Sequence, residues 1–146
     1  MPDPARSTTI NTSNILCVSK NQQNISLVKD LFDPSKYQFI PASSMSLGLF
    51  LAQKNFPDLI LCEASLLEGD GFGLLESLKS DEELASIPVV FVIDETHLLD
   101  SEQIQGASYL LKLPLEESPA TVKSKLEGLI HSRLLDKKDR PIYSPE

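Results

Sequence analysis

Glu63 is the residue of this 146-residue chain best placed to do chemistry. It closes the apolar run Leu59-Ile60-Leu61-Cys62, which opens from the turn Asn55-Phe56-Pro57-Asp58. A loop holding Gly69, Asp70 and Gly71 follows, and then a new apolar periodicity begins at Phe72. An unbroken apolar run bounded by turn residues is the pattern of a parallel strand buried on both faces. Such a strand delivers its last residue to the carboxyl edge of an open α/β sheet, where sites are built. Glu63 is therefore either a working carboxylate or the remnant of one. Its chemical companions are few. The first apolar run, Asn14 to Val18, exits into Ser19-Lys20-Asn21-Gln22-Gln23, which is not a glycine-rich phosphate loop. No nucleophile–base pair and no metal cluster is visible. His97 and His131 are isolated and read as surface residues, while Cys17 and Cys62 sit inside apolar runs and read as core packing.

The elements around Glu63 follow from apolar spacing. Asn14–Val18 reads as a first strand. Ile25, Val28, Leu31 and Phe32 recur at helical spacing over residues 22–32, and Asp33-Pro34 stops that helix. Tyr37–Ile40 reads as a second strand ended by Pro41. Ser43 or Ser44 then caps a helix with Leu47, Phe50 and Leu51 on one face. Asp70 caps a third helix marked by Phe72, Leu74, Leu75 and Leu78, and Ile87–Ile93 is a β-branched fourth strand. Leu98–Gln105 predicts a short helix closed by Gly106, and Tyr109–Leu113 a fifth strand ended by Pro114. A last helix is expected over Ser118–Leu135, with Val122, Leu126, Leu129 and Ile130 inward and Pro119 in its first turn. Five strands alternating with five helices imply an α/β, doubly wound parallel sheet covered on both faces.

The length suits one domain. Residues 1–13, rich in Pro, Ser, Thr and Asn, are expected to form a disordered arm, residues 14–135 the domain, and residues 136–146 a flexible charged tail. A hydrophobic content of 41% and a charged content of 23% are ordinary for a globular protein. The net charge of −8 argues against nucleic acid as the main partner, since phosphate contacts need a basic face. No apolar run is long enough to span a bilayer, so no membrane insertion and a cytoplasmic location are expected. Acidic residues gather between Glu63 and Glu83 and basic ones after Val122, a pattern that solvated helix faces explain.

Together these motifs resemble the receiver domain of two-component response regulators over about residues 14–130. The resemblance is carried by Pro57-Asp58-Leu59-Ile60-Leu61, by Glu63 followed by Leu66 and Asp70-Gly71-Phe72, by Ile87-Pro88-Val89-Val90-Phe91, and by Gly106-Ala107 leading to Leu113-Pro114. It implies a flavodoxin-like sheet of order 2-1-3-4-5. It also implies a phosphorylation site in which an acidic pair after the first strand and an aspartate ending the third hold Mg²⁺. The aspartate takes the phosphoryl group, which a Thr or Ser ending strand four and a Lys ending strand five then contact.

Position by position, this sequence departs from that site. The acidic pair falls on Ser19 and Lys20, the phosphoacceptor on Glu63, and the Thr/Ser position on Ile93. Counted without gaps from Gly106, the Lys position is Leu113. A one-residue shift uses Lys112 instead and makes Tyr109 the family's switch aromatic. One carboxylate is too few to strip the tightly held waters of Mg²⁺. Glutamate also places its oxygen about one methylene too far, and geometric errors near 1 Å can cost on the order of 100-fold. Two arrangements of what remains stand open: Lys20 pairs with Glu63 in place of the metal, or Lys20 points to solvent and Glu63 accepts backbone N–H bonds. Glu63 as a mimic of the phosphorylated aspartate is a further option.

The expectation is a degenerate, stand-alone receiver, a pseudo-receiver, that is not an enzyme and needs no cofactor or metal. It regulates by binding a protein partner, with homodimerisation a second possibility, and without aspartate phosphorylation. The spacing from Ile93 to Gly106 is shorter than the family's, which trims the usual output face. The basic residues of the last helix, Lys123, Lys125, Arg133, Lys137, Lys138 and Arg140, offer a docking surface for an acidic partner. The alternatives are a phosphorylated single-domain response regulator with atypical site residues, or a small-ligand-binding flavodoxin-like protein, which fold alone supports.

Overall fold

The computed structural model describes residues 13–63, 66, 69–94, 107–113 and 117–139. Strand β1 is Ser13–Val18, β2 Tyr37–Ala42, β3 Leu59–Glu63, β4 Val89–Asp94 and β5 Tyr109–Leu113. The helices are α1 (Ser26–Lys29, preceded by a 3-10 turn at Gln22–Ile25), α2 (Met45–Asn55), α3 (Gly71–Ser80) and α4 (Pro119–Asp139). All strand pairs are parallel and the sheet order is β2-β1-β3-β4-β5. This is the doubly wound order expected. The helix expected at Leu98–Gln105, together with Gly106 and His97, lies outside the described residues, as do residues 1–12 and 140–146.

Side chains alternate across the sheet, so each strand feeds two cores. Leu16, Val18, Ile60, Cys62, Val89, Phe91 and Ile93 pack with Ala52, Leu74, Leu75 and Leu78 on the α2–α3 side. Ile15, Cys17, Leu59, Leu61, Val90, Val92 and Leu111 pack with Val28, Phe32, Val122, Leu126 and Ile130 on the other. Each fully buried Val, Leu, Ile or Phe among them contributes about 1.5–3 kcal/mol relative to exposure. At the amino edge, buried Asp58 clamps β1 to β3: its carboxylate accepts from Asn14 N–H at 3.0 Å, and its own N–H donates to Asn14 O at 2.8 Å. No helix among the described residues is long and apolar enough to cross a membrane.

Four expectations need correction. The first helix does not run from residue 22 to 32. Asn21 accepts from Gln23 N–H and Ser26 Oγ donates to Gln23 O, so polar side chains compete for the backbone and leave one 3-10 turn and one α turn. Val28 and Phe32 are nonetheless buried. Pro41 does not end β2, which continues to Ala42 with Pro41 opposite Cys17. An edge strand tolerates the missing N–H. On α2, capped by Ser44, the inward residues are Gly48 and Ala52, while Leu47 and Phe50 face solvent. A Cβ on Gly48 would lie 3.2 Å from the Val18 methyls, so small residues set the close approach of α2 to the sheet. The termini also differ from expectation: β1 starts at Ser13 and α4 continues to Asp139.

On the α4 side, Tyr37 at the sheet edge donates to Glu127 Oε2 at 3.1 Å. Burial, reinforced by that carboxylate, pushes the Tyr37 phenol up to about 12. The neutral hydroxyl is the donor, so this link is intact below the ordinary phenol range near 10 and is lost as pH rises through about 12. Ultraviolet titration of the native chain against Tyr37→Phe should show the missing phenol as one that ionises well above the ordinary phenol range.

Candidate functional site

The carboxyl edge gathers Ser19 and Glu63. Because Val18 lies opposite Cys62 in the β1–β3 ladder, the next residues of both strands, Ser19 and Glu63, meet side by side. Ser19 is fully buried and its Oγ donates to Glu63 Oε1. The same hydroxyl lies 2.7 Å from Asn21 O and accepts from Asn21 N–H at 3.1 Å, while Ser19 N–H donates to Ala42 O at 2.8 Å. Ser19 thus joins the ends of β2, β1 and β3, with one hydroxyl proton facing both the Glu63 carboxylate and the Asn21 carbonyl. Gln22, which sequence reasoning passed over, supports the same corner: its Nε2 donates to Cys17 O at 3.1 Å and reaches Ser19 O and Ala42 O at 3.4 Å.

Of the two arrangements left open, the Lys20–Glu63 ion pair is not formed. Among the described residues the ion pair is Lys125–Glu117, and Lys20 is exposed. The other arrangement holds for Lys20, while among the described residues the partner of the Glu63 carboxylate is the Ser19 hydroxyl. The bonding to Ser19 comes from strand register, whereas charge alone had directed attention to Lys20.

Beyond β3, Asp70 is spent on capping α3: its Oδ1 accepts from Gly73 N–H at 2.7 Å. Gly71 is required by proximity, since a Cβ there would lie 2.2 Å from Glu63 O. Gly69 takes a φ of 73°, which glycine adopts without steric cost. The Cys62 thiol beneath this turn is held far above the ordinary thiol range by burial, and further by the Glu63 and Asp70 carboxylates, so it is no thiolate nucleophile.

The remaining positions stand on β4 and β5. Ile93 is buried in the α2–α3 core and offers no hydrogen bond. Lys112 lies opposite Ile93 in the ladder, and Leu113 opposite Asp94, an acidic residue ending β4 that sequence reasoning also passed over. Tyr109 donates to Glu117 at 2.6 Å, and Lys125 Nζ lies 2.6 Å from Glu117 and 5.2 Å from the Tyr109 ring centre. This trio ties β5 to α4. Burial, then Glu117, raises the Tyr109 phenol, while Lys125, then Tyr109, lowers the Glu117 carboxyl.

The receiver resemblance implies Mg²⁺ at this edge, and the described donors do not fit it. Mg²⁺ wants an octahedron of oxygens and is held through one or two carboxylates with waters. Here Glu63 is occupied by Ser19, Ser19 is a buried hydroxyl already engaged with Asn21, and Lys20 adds a positive charge.

A scan against models of known protein families gives no match. Among curated proteins, the chain is 37% identical over 119 residues to the polar-differentiation response regulator DivK of Brucella ovis, covering 79% of this chain and 97% of that one. Among solved structures, it is similar to a CheY-like response regulator receiver domain protein of Methanospirillum hungatei (TM-score 0.71, 19% identity, 86% of this chain and 98% of that one). It is also similar to the receiver domain of the sensor histidine kinase PA1611 of Pseudomonas aeruginosa, solved with a magnesium ion coordinated in its active site cleft (TM-score 0.70, 19% identity, 82% and 98%). At these identities the structures speak for the fold alone.

Proposed function

The chain belongs to the response regulator receiver family of two-component signalling, and we propose that within it this protein is a pseudo-receiver, regulating through protein contacts without phosphorylation of an aspartate. The observation that carries the reading is the engagement of Glu63, at the phosphoacceptor position, by the buried hydroxyl of Ser19. In a working receiver the matching carboxylate must be free to attack phosphorus and to share a metal with an acidic pair. Here the pair positions hold Ser19 and Lys20, and the position that would bond the phosphoryl group holds buried Ile93. Nothing in the reading requires catalysis or a cofactor. Its output is a surface offered to another signalling protein, and residues 14–135 form the unit that carries it.

Intact-mass measurement after incubation with a small-molecule phosphodonor and Mg²⁺ tests this. The expected outcome is an unchanged mass, with an ordinary receiver domain labelled in parallel. A phosphoryl adduct mapped to Glu63 or Asp94 would contradict the reading.

A further inference from the structure

Among the described residues, the exposed large apolar side chains all belong to one element: Leu47 (40% exposed) and Phe50 (55%) on α2, and Phe56 (42%) at its C-cap. Leu47 and Phe50, three residues apart, lie on one helix face. The helix docks on the sheet through Gly48 and Ala52, so this outward face is not held by the core. Phe56 adds an independent sign. Its backbone is left-handed (φ 46°, ψ 63°), at a cap where glycine or asparagine is the unstrained choice. A half-exposed aromatic there forgoes conformational ease without regaining it by burial, so fold stability does not account for it. The charge on this helix is equally particular. In a chain of net charge −8, α2 carries no carboxylate and one cation, Lys54, whose Nζ lies 5.9 Å from the Phe50 ring centre.

We propose that this face of α2 is a docking surface for a short amphipathic segment of a protein partner, with apolar side chains covering Leu47, Phe50 and Phe56 and a carboxylate pairing with Lys54. The three side chains expose roughly 300 Å², well under the ~800 Å² each partner gives to a stable domain–domain interface, which suits a segment and not a second globular surface. A second copy is also disfavoured by charge, because α2 of another copy brings a further Lys54 and no carboxylate to pair with it. Lys54 is the element that selects the partner, since opposite charge beside an apolar contact governs which segments are accepted. The proposal rests on the reading of this protein as a contact-making regulator, but not on whether Glu63 accepts a phosphoryl group.

The test uses the full chain, isotopically labelled, and two synthetic helical peptides with the same Leu/Phe face, one flanked by Glu and one by Lys. The Glu-flanked peptide should shift the amides of Leu47, Phe50, Lys54 and Phe56 and bind about tenfold more tightly than the Lys-flanked one. Phe50→Ser should abolish those shifts while leaving the sheet resonances in place, and Lys54→Glu should reverse the peptide preference. Equal binding of both peptides, shifts confined to other elements, or no binding would overturn the proposal. So would self-association in sedimentation that Phe50→Ser abolishes. Phosphodonor labelling of Glu63 would overturn the pseudo-receiver reading and leave these peptide results standing.

Discussion

Replacing Gly71 with alanine lowers the stability of the fold by about 3 kcal/mol or more, the upper end for overpacking, because the atom that must give way is backbone. The added Cβ would sit 2.2 Å from Glu63 O and 3.0 Å from Cys62 Sγ, both at the end of the central strand β3. No rotamer relieves a contact with a carbonyl oxygen, so either α3 or the end of β3 shifts. Urea unfolding should show a midpoint well below that of the native chain, with the slope preserved if the denatured state is unchanged. Gly128→Ala is the matched control. Nothing lies within 4 Å of a Cβ at that position in α4, and alanine replaces glycine in a helix interior, so stability should rise by about 0.5–1 kcal/mol. The same chemical change with opposite signs at the two positions would separate close approach at the Glu63 turn from general glycine effects. A small loss at Gly71 would mean that the end of β3 is not held as described.

Ser19→Asp should be the second large effect. It places a carboxylate at a fully buried position beside Glu63 and deletes the hydroxyl that serves Asn21. An uncompensated buried charge costs about 3–5 kcal/mol. The variant should therefore unfold at much lower urea than the native chain at neutral pH. Two adjacent carboxylates are, however, a donor set that an oxygen-loving dication takes. Added Mg²⁺ should raise the midpoint of Ser19→Asp by mass action on the folded state and leave the native chain unmoved. A Mg²⁺-dependent rise in the native chain would show that its donors suffice, against the description of the site. Ser19→Ala separates the two components of the loss, since it removes the hydroxyl without adding charge and should cost about 1–3 kcal/mol.

Much of the frame was legible because burial on both faces leaves continuous apolar runs. Tyr109–Leu113 is a strand with the bounds its sequence suggests, the run Leu59–Cys62 is a strand that extends one residue further to Glu63, and Asp70 caps α3 through the hydrogen bond its position implies. The misreadings share a cause: local preference was overridden by neighbours that the sequence does not display. The Asn21–Ser26 stretch folds against its own polar side chains, Pro41 is tolerated because β2 is an edge, and α2 turns its smallest residues inward. At the site, Ser19, Lys20 and Glu63 were each singled out, but the pairing among them was not. That pairing depends on the Val18–Cys62 register, which brings Ser19 and not Lys20 beside the carboxylate. Gln22 was passed over because a polar residue after a strand carries no signal until three backbone carbonyls are seen to converge on its amide.

The most direct measurement of the pseudo-receiver account is the residue-by-residue NMR spectrum of the full chain with beryllofluoride and Mg²⁺, which together imitate a phosphorylated receiver. The account predicts unchanged amides at Ser19, Lys20, Glu63, Ile93 and Leu113, because Glu63 is held by Ser19 and no acidic pair receives the metal. Shifts clustered at those residues, spreading through β5 to Tyr109, would contradict it and return the protein to the phosphorylated response regulators.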